Sequence, residues 1–194
     1  STLFAPGQLR ITNHGPGRAV LIALPGFHTG ATQILRERNH PHYLANFAKS
    51  NNFSLVTWDW PLQGERLDAG LYSRVGSVYS AEREYSRILP MLGSCLWREY
   101  VHELDFALRN VQKMSVDKAI MHVFGWSMGG AFAAMAPILS EGVVTATAAG
   151  TCAGWKDLLE CGLTNVHGYF FYPLEATKWF DIEDVVTKYS HSHQ

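Results

Sequence analysis

Apolar and polar positions along the chain change period in blocks. Arg18–Gly26 (RAVLIALPG) is a short apolar run closed by Pro25-Gly26, the pattern of a buried strand and a turn. Ala31 to Ser50 is mixed and predicts helix in two pieces, because Pro41 interrupts it. Phe53–Pro61 (FSLVTWDWP), rich in β-branched and aromatic residues, predicts a second strand. Leu62 to Ser80, punctuated by Gly64, Gly70 and Gly76, reads as irregular. From Ser94 to Met114 the apolar residues Leu96, Tyr100, Val101, Leu104, Leu108 and Val111 recur at spacings of three and four, which predicts a long amphipathic helix. Lys118–Trp126 is a third apolar run, Gly129–Ser140 an alanine-rich helix, and Val143–Gly150 a fourth strand. Past Gly150 the signal weakens to two short helical patterns, Trp155–Leu163 and Ile182–Tyr189. They flank the aromatic connection Val166–Phe180. Strands alternating with helices imply an α/β fold with a mostly parallel sheet and helices on both faces.

Length and composition narrow the choices. A chain of 194 residues with 47% hydrophobic content is one domain with a real core. Net charge is −1 and no stretch is strongly basic, which argues against nucleic-acid binding and electrostatic membrane docking. No apolar run approaches the length of a membrane span. The first residues, STLFAPGQLR, lack a charged region followed by an apolar one, so no signal peptide is visible. Cys95, Cys152 and Cys161 show no zinc or C-x-x-C spacing; they read as reduced thiols, which favours a cytoplasmic setting.

The chemistry concentrates at Gly125-Trp126-Ser127-Met128-Gly129, a G-x-S-x-G pattern placed after an apolar strand and before an alanine-rich helix. A strand turning this sharply into a helix needs small residues two before and two after the serine. The serine hydroxyl then stands clear of the sheet end, as a nucleophile must. The following helix start aims free N–H groups, that of Met128 first, at an oxyanion forming beside Ser127. The second oxyanion donor is expected in the loop after the first core strand, Leu24–Gly30 (LPGFHTG). Gly26 allows close approach there, and Phe27 N–H is the preferred donor, with His28 the alternative.

These features resemble the α/β-hydrolase superfamily, and within it the acetyl-xylan-esterase and dienelactone-hydrolase-like branch. The similarity is carried by Met114–Gly130 (MSVDKAIMHVFGWSMGG, with Asp117), Trp58–Arg66 (WDWPLQGER), Gly93–Leu108, Ala149–Leu159 and Trp179–Val186. It runs from about Arg18 onward, and the elbow is its specific part. The resemblance implies hydrolysis of small-molecule carboxylic esters through a Ser-His-Asp triad, without metal or organic cofactor. Serine in place of the cysteine of true dienelactone hydrolases favours esterase chemistry.

The resemblance also implies an acid and a histidine after two further strands, in the order Ser, acid, His. No apolar strand run follows Gly150, so residues 1–194 read as a single α/β-hydrolase domain lacking its last strands. His14, His40, His42 and His102 read as surface residues, and His122 as a satisfied core histidine. His167 lies in the aromatic connection. His191 and His193, with Asp181 or Asp184 upstream, are the C-terminal candidates, on a polar terminus with no strand to hold it. Glu65 and Arg66 read as a loop ion pair, with lining of the pocket the alternative. Trp155, Tyr169, Phe170, Phe171, Tyr172, Trp179 and Phe180 read chiefly as packing against the sheet, with capping of an acyl pocket the alternative. The expected function is a serine carboxylesterase acting through an acyl-enzyme on Ser127. The alternatives are a catalytically incomplete binding protein and an acyltransferase on the same fold. Without further strands, Val143–Gly150 is expected to be an exposed sheet edge prone to self-association.

Overall fold

A computed structural model describes residues 4–5, 7–13, 19–39, 43–67, 69–114, 119–151, 154–161, 181, 183–185 and 187. Five strands form one sheet in the order β1-β3-β2-β4-β5. They are β1 (Arg10–Thr12), β2 (Ala19–Leu24), β3 (Ser54–Thr57), β4 (Ile120–Trp126) and β5 (Val143–Ala149). β2, β3, β4 and β5 run parallel, and β1 pairs antiparallel with β3. The helices are α1 (Ala31–Leu35), α2 (Ala45–Ser50), α3 (Ala69–Val75), α4 (Val78–Ile88), α5 (Leu96–Met114), α6 (Met128–Leu139) and α7 (Trp155–Glu160).

The period-2 pattern of β2 shows why the sheet is layered. Val20, Ile22 and Leu24 point into a large core that also takes in residues of α5, α6 and α7, while Leu21 and Ala23 point into a smaller one with Ile34 of α1 and Ala48 of α2. The larger core is built on aromatic rings. Trp60 packs against Trp58, Tyr100 and Phe132 at centroid separations of 5.2–5.5 Å, and Trp97 contacts Phe132 and Trp155. Trp155 is thereby confirmed as a packing residue. The second face is less complete. Over β4 and β5, His122, Phe124, Thr145 and Thr147 line a groove of about 320 Å³ with Leu44, Phe47 and Phe53, and Val144 of β5 is 49% exposed.

Two departures from the sequence reading have physical causes. β1 is three residues long, too short to carry a period. Leu62 to Ser80 is not irregular: it holds a 3₁₀ turn at Gly64–Arg66, all of α3 and the start of α4. Gly76, at φ 76°, ends α3, and the Ser77 hydroxyl accepts from Ser80 N–H at 3.0 Å to start α4. The apolar stripe of α4 is hidden from sequence because Glu82, fully buried, occupies its inner face.

Candidate active site

β4 delivers the chain to the carboxyl edge of the sheet and α6 leaves it one residue later. Ser127 sits between them at φ 53°, ψ −117°, a conformation that costs a residue with a Cβ about 1–3 kcal/mol. Neighbouring backbone holds it there: Ser127 N–H donates to Ala149 O of β5 at 2.8 Å, and Ser127 O accepts from Ala131 N–H at 3.2 Å, opening the helix. The flanking glycines are required by close approach. A methyl carbon at Gly125 would lie 2.7 Å from Gly130 N and nearer still to Gly129 O; one at Gly129 would lie 2.7 Å from Pro25 O and nearer still to Leu24 O. The first contact is the price of the sharp turn, and the second presses the elbow against the loop after β2.

That loop is held from several sides. Trp60 Nε1 donates to Pro25 O at 2.9 Å, and Thr29 N–H to Gly26 O at 3.1 Å. Gln33 Oε1 accepts from Gly30 N–H at 2.9 Å. Phe27 and His28 form the tip, ring against ring at a centroid distance of 4.0 Å. His28 adopts φ 61°, and partial desolvation holds its imidazole pKa below the ordinary value.

Asp59, between the two buried tryptophans of WDW, fastens this loop to the next one. It is 5% exposed. Oδ1 accepts from Ala31 N–H at 2.6 Å and Oδ2 from Glu65 N–H at 3.2 Å, with Arg10 Nη2 at 3.6 Å. Sequence reasoning passed over Asp59; its signal was an acid at a strand end between aromatics, where only a hydrogen-bonding duty makes burial tolerable. Glu65 and Arg66 do not form the expected loop ion pair; each pairs with a residue outside the loop. Glu65 pairs with Arg10, which lowers the Glu65 pKa, and Arg66 pairs with Glu103 while donating to Asp59 O at 2.8 Å.

Behind the elbow lies a second buried polar group that sequence reasoning also missed. Met128, first in α6 and 3% exposed, receives Gln63 Nε2 on its sulfur at 3.5 Å. Gln63 is fully buried, as is Glu82 beyond it. The Tyr100 hydroxyl donates to Glu82 Oε1 at 2.9 Å, with Pro61 O at 3.2 Å as its alternative acceptor.

The other candidates fall elsewhere. Asp181 caps α7, accepting from Trp155 N–H at 2.7 Å and Lys156 N–H at 2.9 Å, an arrangement that engages both carboxylate oxygens structurally. His122 is satisfied as expected: Nδ1 bonds Thr145 Oγ1 at 2.7 Å and the ring meets Phe53, although it is only half-buried, on the open face. His102 is on α5 with Arg98 Nε 3.3 Å from its Nε2. Cys95 and Cys161 are free thiols. His14, His40, His42, Asp117, Cys152, His167, Tyr169, Phe170, Phe171, Tyr172, Trp179, Phe180, His191 and His193 lie outside the described residues. No helix among the described residues is long and apolar enough to cross a membrane.

No protein-family model and no curated protein matches the chain. Solved structures do. A Bacteroides fragilis protein provisionally named an acetyl xylan esterase superposes at TM-score 0.55 and 18% identity, over 70% of this chain and 38% of that one. An acetyl xylan esterase from Paenibacillus sp. R4 superposes at TM-score 0.51 and 16% identity, over 94% of this chain and 52% of that one. The chain therefore spans about half or less of the length of these structures, and it shares with them an α/β fold of mostly parallel strands with helices on both sides.

Proposed function

We propose that the chain carries the nucleophile half of a serine carboxylic ester hydrolase of the acetyl-xylan-esterase-like branch. The observation that carries this reading is Ser127 held in a strained conformation between a parallel strand and a helix, against the loop after β2. Ser127 Oγ attacks the acyl carbonyl carbon and gives its proton to a histidine. The oxyanion is held by the N–H groups of Met128 and Phe27. The alcohol leaves with the proton, and water then hydrolyses the acyl-enzyme. The fold shared with esterases named for acetyl xylan makes an acetyl ester the first substrate to assay.

The base is proposed to come from outside the described residues. Among the histidines within them, His122 lies five residues before Ser127 along an extended strand, roughly 16 Å away. A serine without its base keeps only the rate that the oxyanion hole and binding supply, so the described residues alone would make a poor esterase.

The test is labelling by a fluorophosphonate, with p-nitrophenyl acetate turnover measured alongside and Ser127→Ala as the blank. Labelling confined to Ser127 supports the nucleophile. Failure to label at any pH would leave the fold as a ligand-binding module. Ser127→Ala should remove the reaction and change stability by less than about 0.5 kcal/mol, because only a hydroxyl outside the core is lost. Turnover within about tenfold of an ordinary esterase, abolished by His191→Ala or His193→Ala, would show instead that this chain is catalytically complete. Transfer of the acyl group to an added alcohol in preference to water would mark an acyltransferase.

A further inference from the structure

The cluster of Glu82, Gln63 and Tyr100 behind the elbow has more acceptors than donors. Glu82 Oε2 and Gln63 Oε1 are both buried and have no hydrogen-bond partner among the described residues. The donors within the cluster are one hydroxyl, which serves Glu82 Oε1 or Pro61 O, and one NH₂ group, which lies on the Met128 sulfur and also acts on Glu82. Two unmet acceptors in one buried pocket cost several times what a satisfied pair contributes. A single additional proton changes this balance. On Oε2 it turns one unmet acceptor into a donor and offers the Gln63 carbonyl a partner.

We propose that Glu82 is a neutral carboxylic acid and, with Gln63, a positioning pair for Met128, and hence for the oxyanion side of the Ser127 elbow. This rests on the nucleophile reading above only for its catalytic consequence. With Glu82 neutral, Gln63 accepts from it and keeps its NH₂ group on the Met128 sulfur. With Glu82 ionised, the carboxylate draws the NH₂ group toward itself and weakens its contact with the Met128 sulfur. Burial supports the neutral form by pushing the Glu82 carboxyl up to about 8, against the opposing hydrogen bonds from Tyr100 and Gln63.

Among the described residues no cation is placed to reverse this. On α5 the groups beside Tyr100 are Glu99 and Glu103, both acidic and buried. Arg66, in the 3₁₀ turn, is engaged by Glu103 and the Asp59 and Ala5 carbonyls. Arg74 of α3 is exposed, and on α4 itself Arg83 and Arg87 are exposed and paired with Glu84.

The experiment uses the whole chain with ¹³C-methyl methionine, the Met128 resonance being assigned by Met128→Leu. In the wild type this resonance should move between pH 6 and pH 9 with a midpoint near 8. In Glu82→Gln, which keeps a donor but cannot ionise, and in Gln63→Leu, it should not move. If neither variant folds, the wild-type titration alone decides, since a Met128 resonance that is flat over this range overturns the proposal. So does a titration that survives in Glu82→Gln. In parallel, fluorophosphonate labelling of the wild type should slow about tenfold from pH 7 to pH 9 relative to Glu82→Gln, following the neutral fraction. Met128 titration without labelling at any pH leaves the positioning pair standing and removes the esterase reading. Labelling with a flat Met128 does the reverse.

Discussion

Replacing Gly129 by alanine should be, with Gly125→Ala, one of the two most damaging single-methyl changes at the elbow. Ordinary van der Waals contact begins at 3.4 Å, and the added carbon would stand 2.7 Å from Pro25 O and closer to Leu24 O, so α6 and the β2 loop must part by at least 0.7 Å (3.4 minus 2.7). The obstacles are main-chain atoms of a strand end. Leu24 is in register with Gly125 of β4, and Pro25 O is held by Trp60 Nε1, so neither can swing aside as a side chain would. Overpacking of this kind costs about 1–3 kcal/mol, and rigid obstacles put Gly129→Ala at the upper end. Two controls separate crowding from other glycine effects. Gly130 has its nearest neighbours at 3.0–3.2 Å, so Gly130→Ala should cost about 1 kcal/mol or less. Gly76 has nothing within 4 Å but sits at φ 76°, so Gly76→Ala should cost about 1 kcal/mol through backbone strain alone. Urea unfolding of the three variants, with Ser127 labelling in parallel, measures both consequences. Gly129→Ala alone should also slow labelling, because it moves Ser127 away from the loop that carries Phe27. Equal stability of Gly129→Ala and Gly130→Ala, or unchanged labelling in Gly129→Ala, would refute the account of the elbow as a contact between α6 and the β2 loop.

Asp59→Ala should destabilise by about 2–4 kcal/mol, since it strips acceptors from the N–H groups of Ala31 and Glu65; a loss below about 0.5 kcal/mol in urea unfolding would contradict this. Stability should also fall as pH rises from 4.5 to about 8, because the buried Glu82 carboxyl keeps a proton that the unfolded chain has already released. That interval corresponds to about 5 kcal/mol for Glu82; burial also pushes the Glu103 carboxyl up to about 7, so Glu82→Gln should reduce the fall below pH 7 and remove it between about pH 7 and 8. We further propose that the exposed β5 edge drives association between chains. Sedimentation should then depend on concentration, and Val144→Lys should shift the chain toward monomer; a wild type that sediments as a monomer at all concentrations would exclude it.

What the sequence revealed, and what it concealed, divides along one physical line. Strands β2 to β5 were readable as short apolar runs, α5 by its three-and-four spacing and α6 by its alanine-rich run, and the elbow was readable because a steric demand leaves only glycine at Gly125 and Gly129. The missed features all violate a period for a reason. Asp59 and Glu82 place carboxyl groups where the pattern calls for apolar ones, and Gln63 follows Leu62, whose φ of 65° turns the chain back toward the core. A single sequence registers such residues as loop or surface, because polarity is scored before partners are known. Yet each lies against a part of the candidate site, Asp59 against the β2 loop and Gln63 against Met128. Burying a polar group without a partner costs more than most single contacts return. Asp59 and Gln63 tie down the β2 loop and the start of α6, the two pieces of backbone that meet at Gly129. The breaks in the hydrophobic pattern are thus positions where a polar side chain has found a partner inside the fold.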